Sequence, residues 1–137
     1  MIRRDRLQTL LLDLVRIDSL SRREGAIATR LERDLRALGA DVAYDHAGDA
    51  VGGEVGNLVA RFPGTTPAPA FLLCAHMDTV EPGIGVQPVV DGDVIRSDGT
   101  TVLGGDDKSG IAIILECLQV CRERGAAQED GKGGRRE

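Results

Sequence analysis

"AFLLCAHMDTV", residues 70–80, decides how the rest of the chain is read. Residues 70–75 are apolar on both faces of an extended chain, the pattern of a central strand covered on each side. The run ends in His76 and, two residues on, Asp78. Alternate residues of a strand point the same way, so His76 and Asp78 share one side while Met77 takes the other. Imidazole and carboxylate suit zinc, and a carboxylate can also fix the orientation of a ligating histidine. The pair alone is open between a hydrogen-bonded cap on a strand end and the first half of a metal site.

Upstream, residues 5–17 place Leu7, Leu10, Leu11, Leu14 and Val15 on one helical stripe. A second helix follows, with Ile27, Leu31, Leu35 and Leu38 as its stripe and Gly39 as its stop. Ser21 and Glu24 have capping-box spacing at its start. Strand-like segments 40–46 and 57–62 flank a Gly-rich turn or loop at 47–56. Residues 85–99 read as a hairpin around Asp91-Gly92. Residues 108–125 form a helix with Ile111, Ile114, Leu115, Leu118 and Cys121 inward. This order, with one doubly apolar strand, predicts an α/β fold, a three-layer αβα domain. Ligands of such sheets collect outside the carboxyl ends of the strands, where His76 and Asp78 lie. Periodicity ends at Gly125, so residues 1–124 are expected to form the domain and 125–137 a disordered tail.

Composition narrows the occupation. With 42% hydrophobic and 28% charged residues, the 137-residue chain reads as one ordinary globular domain. A net charge of −5 and 2% aromatic residues argue against a nucleic-acid partner. No apolar run is long enough to span a membrane, and the N-terminus lacks the pattern of a signal peptide. Three cysteines without framework spacing read as small buried thiols in a reducing compartment, so the cytoplasm is expected. His46, before the Gly-rich turn, reads as a surface polar residue.

A second constellation lies at residues 97–112, "SDGTTVLGGDDKSGIA". Asp106 and Asp107 follow a Gly-Gly pair and precede a helix. Adjacent carboxylates need compensation, which either a cation or the helix N-terminus can supply. The segment is not a phosphate loop, because Asp107 rather than glycine precedes Lys108-Ser109. A magnesium-dependent phosphate enzyme therefore lacks its phosphate cradle.

Together, "HMDTV" (76–80), "IRSDGTTVLGGDDKSGIA" (95–112) and, less specifically, "IDSLSRREG" (17–25) resemble the peptidase T-like members of the two-zinc exopeptidase and aminoacylase superfamily. The resemblance covers residues 5–124. It implies a zinc-exopeptidase-like catalytic domain that hydrolyses peptide bonds in small peptides. It implies further that His76 is a ligand of one zinc and that Asp78 is the catalytic aspartate orienting it. Asp106 would bridge the two metals, next to a cis peptide bond to Asp107, with Asp107 and Lys108 as supporting residues. Two metals about 4 Å apart polarise a scissile carbonyl and lower the pKa of a bridging water. Cobalt or manganese could replace zinc, since carboxylate-rich sites accept several metals.

The family's paired glutamates (one a general base), its remaining ligands and its dimerisation domain have no counterpart in these residues. The chain is accordingly expected to be an N-terminal fragment, inactive alone and a weak zinc binder at most. The competing reading is a non-enzymatic truncated product or interaction module that keeps the fold.

Overall fold

The computed structural model describes residues 1–64 and 67–132. Helix α1 (Arg4–Val15), helix α2 (Gly25–Ala37) and helix α4 (Gly105–Lys132) supply most of the core. Leu14, Ile27, Leu31, Ile111, Ala112 and Leu115 form its buried centre, with Leu7, Leu10, Leu11, Leu35 and Leu38 packed around it. Both upstream stripes thus face inward as their periodicity predicts. Helix α2 ends in a Schellman motif: the amide of Ala40 donates to Leu35 O and that of Gly39 to Arg36 O. Gly39 has φ 95°, a left-handed conformation that glycine adopts without steric cost.

The strands form two antiparallel pairs. Strand β1 (Asp41–Tyr44) pairs with β2 (Leu58–Arg61), from Asp41↔Arg61 to Tyr44↔Leu58. Between them the Gly-rich segment contains a short helix, α3 (Ala47–Val51). Strand β3 (Pro88–Asp91) and β4 (Val94–Ser97) make the hairpin expected at Asp91-Gly92. The α/β class holds, but residues 70–75 depart from the expected central strand. They belong to no strand and have no ladder partner among the described residues, and Phe71 and Leu72 are 85% and 86% exposed. The apolar pattern reports what the segment is suited to bury, whereas a ladder also needs neighbouring backbone to pair with. Only the far end of the stretch is docked: Ala75 and Met77 pack on the core, and Thr79 makes a parallel bridge to Leu20.

One further expectation is corrected. Cys74 and Cys121 are exposed and Cys117 is half-buried, so the thiols are free but not sequestered. Cys74 lies on the uncovered segment, and in α4 it is Glu116 and Val120 that turn inward in the turn before Cys121. Helix α4 continues to Lys132, past Gly125, through residues that include good helix formers such as Ala126, Ala127 and Gln128. Residues 133–137 of the expected tail lie outside the described residues.

Glu116 is 2% exposed and holds α1 to α4. It accepts from the Arg3 amide at 2.8 Å and from Arg6 Nε and Nη2 at 2.5 and 2.9 Å. The Arg6 hydrogen bonds, aided by the Arg3 amide and opposed by burial, lower its pKa. A carboxylate acidified by folding stabilises the native state above its unfolded pKa, here 4.5, and loses that contribution as pH falls through the lower folded value. Glu116→Gln is expected to cost about 1–3 kcal/mol at neutral pH. It should also flatten the acid limb of stability, measured as urea midpoints across pH. An unchanged acid limb would show that other carboxylates carry it.

Candidate functional site

The site is built where the end of the 70–80 stretch meets the start of α4. His76 and Asp78 point away from the core that Met77 enters, as strand alternation predicts. Across from them, Gly104 has φ 69° and the Gly-Gly pair brings the chain against Thr79. A Cβ on Gly104 would stand 3.1 Å from Thr79 Cγ2, so a bare backbone is what this approach requires. The Asp106–Asp107 peptide bond is cis, as the resemblance implies. The two carboxylates then part. Asp107 Oδ1 accepts the Gly110 amide at 3.1 Å and caps the helix, leaving Asp106 directed outward.

His76 Nε2 lies 3.1 Å from Asp106 Oδ1. Its Nδ1 lies 3.0 Å from the carbonyl oxygen of Asp78 and 3.2 Å from Asp78 Oδ1. His76 and Asp78 are 53% and 36% exposed, and Asp106 is 96% exposed. Desolvation works against the imidazolium, but the hydrogen bonds to Asp106 and to the Asp78 carbonyl, with both carboxylate charges, outweigh it. The His76 pKa is therefore raised. The two carboxylates thus favour the protonated ring over the neutral one.

Lys108 points the other way. It is 2% exposed and donates from Nζ to Ile17 O at 2.6 Å, pinning the start of α4 to the end of α1. Burial lowers its pKa to about 8, partly offset by the charge of Asp18. Asp18 Oδ1 in turn accepts the Gly85 amide at 2.8 Å. His46 stands apart, its side chain 95% exposed and 3.5 Å from Asp49.

The structure thus brings His76, Asp78 and Asp106 together and places Asp107 and Lys108 as struts behind them. Sequence reasoning missed Ser21. In place of the expected capping box, α2 has Glu24 at its N-cap with no side-chain cap, and Glu24 Oε1 accepts the Arg22 amide. Ser21 Oγ donates instead to Asp78 Oδ2. The only signal was that Ser21 lies in "IDSLSRREG", the third and least specific part of the resemblance.

His76 and Asp106 are the donor types zinc accepts, but structural sites take four protein ligands and catalytic ones typically three plus water. Among the described residues no group of three or more His, Cys, Asp or Glu side chains converges to hold a metal. These residues do not make a zinc site by themselves.

The fold of the chain is similar to that of solved peptidases. The chain superposes on a tripeptidase from Staphylococcus aureus with TM-score 0.88 and 44% identity, over 91% of this chain and 34% of that one. With the aminopeptidase PepT of Bacillus cereus the values are 0.83 and 35%, over 90% and 34%. Among curated sequences, YqjE of Bacillus subtilis is 42% identical over 90% of this chain and 33% of its own length. Peptidase T of Aeromonas hydrophila is 34% identical over 47% of this chain and 24% of its own length. No protein-family model matches. The chain is similar to the tripeptidase and to PepT over about nine tenths of its own length, and it spans about a third of the length of those two and of YqjE. No helix among the described residues is long and apolar enough to cross a membrane.

Proposed function

We propose that the chain carries part of the site of a zinc-dependent exopeptidase acting on small peptides in the cytoplasm. His76 and Asp106 act as ligands, Asp78 as the carboxylate behind His76, and Asp107 and Lys108 as supports. The observation that carries this reading is the 3.1 Å approach of His76 Nε2 to Asp106 Oδ1, which joins two motifs thirty positions apart. The peptidase names of the similar structures support it. With two donors only, the chain alone binds zinc weakly and does not cleave peptides.

A chimera tests the reading: residues 5–124 replace the matching third of the S. aureus tripeptidase. Tripeptide cleavage that is lost on chelation and restored by zinc is expected. A folded chimera with no zinc-dependent cleavage refutes the assignment. For the chain alone, calorimetric titration should show weak zinc uptake, and tight stoichiometric binding would overturn that part. A second reading, an interaction module without chemistry, is favoured by one observation, the uncovered apolar segment around Phe71 and Leu72.

A further inference from the structure

We propose that Ser21 is a positioning residue for the site, holding Asp78 so that Asp78 in turn fixes the ring of His76. Ser21 Oγ donates to Asp78 Oδ2 at 2.5 Å, while the other oxygen, Oδ1, lies 3.2 Å from His76 Nδ1. The carboxylate is thereby occupied on both sides, and rotation about its χ2 would break both contacts. The side chain is 36% exposed, and its carboxylate oxygens have no polar side-chain partner other than Ser21 and His76 among the described residues. The Ser21 hydroxyl supplies the missing restraint.

The turn that presents Ser21 is itself held. The Arg23 amide donates to Leu20 O at 2.8 Å, closing a four-residue turn. Its third residue, Arg22, has φ 73°, a left-handed conformation unusual outside glycine and asparagine. Such a residue costs on the order of 1–3 kcal/mol and persists where its surroundings over-determine it. Here Glu24 Oε1 accepts the Arg22 amide at 2.6 Å, and Arg22 O accepts the Glu54 amide at 3.2 Å. Beside the turn, the Thr79 amide donates to Ser19 O at 2.8 Å, locking the turn to the strand end that carries Asp78. The backbone is held on both sides of Ser21, so its hydroxyl meets Asp78 in a fixed direction. A helix-capping serine would need none of this.

The proposal extends the reading of His76 as a ligand, yet its test needs no metal. The chain has two histidines, and His46, 95% exposed, serves as an internal reference. Ring nitrogen-15 shifts of the metal-free chain, recorded above the titration of His76, report which nitrogen carries the proton. In the wild type Nδ1 faces the carbonyl and the carboxylate of Asp78, at 3.0 and 3.2 Å, and Nε2 faces Asp106 Oδ1 at 3.1 Å. The proton is therefore shared between the nitrogens, and the Asp78 carboxylate sets how much of it Nδ1 holds. Ser21→Ala is expected to move the proton toward Nε2, and Ser21→Thr, which keeps the hydroxyl, to restore the wild-type ratio. Ser19→Ala, two residues away at a buried hydroxyl with no hydrogen-bond partner among the described residues, should leave the ratio unchanged. Should the alanine variant fail to fold, Ser21→Cys, a near-isostere with a weak donor, must show the same displacement. An unchanged ratio in a folded Ser21→Ala or Ser21→Cys chain overturns the proposal, as does failure of threonine to restore it. Failure of the chimera with a shifted tautomer would instead refute the peptidase reading alone.

Discussion

In the tripeptidase chimera, His76→Ala and Asp106→Ala should each reduce kcat/KM far more than Asp78→Asn does. Loss of a partner that merely orients a metal ligand costs about 10–100-fold in affinity or activity, and Asp78→Asn should fall in that range. Asparagine keeps the shape and an oxygen toward His76 Nδ1 but loses the charge. Removing His76 takes away a donor that no described neighbour can replace, because no third His, Cys, Asp or Glu stands within the same group. The Asp106 side chain is 96% exposed and, among the described residues, has no hydrogen bond or ion pair besides that with His76, so its replacement should leave the fold intact. Lys108→Met provides the contrast. Its effect should appear in stability, through loss of the Ile17 O anchor, before it appears in chemistry. Steady-state kinetics and thermal melts of the four variants give the ranking. Equal effects for His76→Ala and Asp78→Asn would contradict the assignment of ligand and orienting residue.

Replacing Phe71 and Leu72 with aspartate should convert a self-associating chain into a monomer. Phe71, Leu72 and Leu73 are 85%, 86% and 48% exposed on a segment without a ladder partner among the described residues. No charged residue occurs from Phe62 to Ala75, so nothing repels a second copy that lays its own segment alongside. An unpaired, apolar, uncharged strand edge is a template for intermolecular pairing. Both side chains point into solvent, so the substitution removes no native contact and should leave circular dichroism unchanged. Sedimentation velocity across a concentration series should show association for the wild type and a single slow species for the double variant. A wild-type chain that stays monomeric throughout, with a sharp cooperative melt, contradicts this.

What could be read from the sequence was whatever depends on local pattern. The leucine stripes of α1 and α2, the Asp91-Gly92 hairpin and the Gly39 stop each follow from residues a few positions apart. So does the division of labour between His76 and Met77, because alternation is a property of any extended chain. The pairing of His76 with Asp106 was legible only through the resemblance, since nothing local links residues thirty apart. Ser21 shows the converse. Its spacing to Glu24 satisfies a capping box whether the hydroxyl turns toward the helix or away, and the partner that wins lies 57 positions on. Residues 70–75 were misplaced for a related reason. Hydrophobicity on both faces describes a demand for cover, and the supply is set by what else is present to pair.

The turn at residues 17–23 has a consequence for how small a piece could still hold His76 against Asp106. Its links run to Asp78, Thr79, Gly85 and Lys108, across sequence separations of 57, 60, 67 and 91 residues. On the turn itself, Ile17 and Ser19 contribute backbone carbonyls while Asp18 and Ser21 contribute side chains, so both the path of the main chain and the residues at 18, 21 and 108 matter. A peptide spanning only the two motif segments would carry His76 and Asp106 but neither the turn nor its clamps. It should behave as a flexible strand with two unrelated side chains. The smallest piece that can keep them face to face is nearly the whole domain, and the geometry of those two residues therefore reports on long-range closure of the fold.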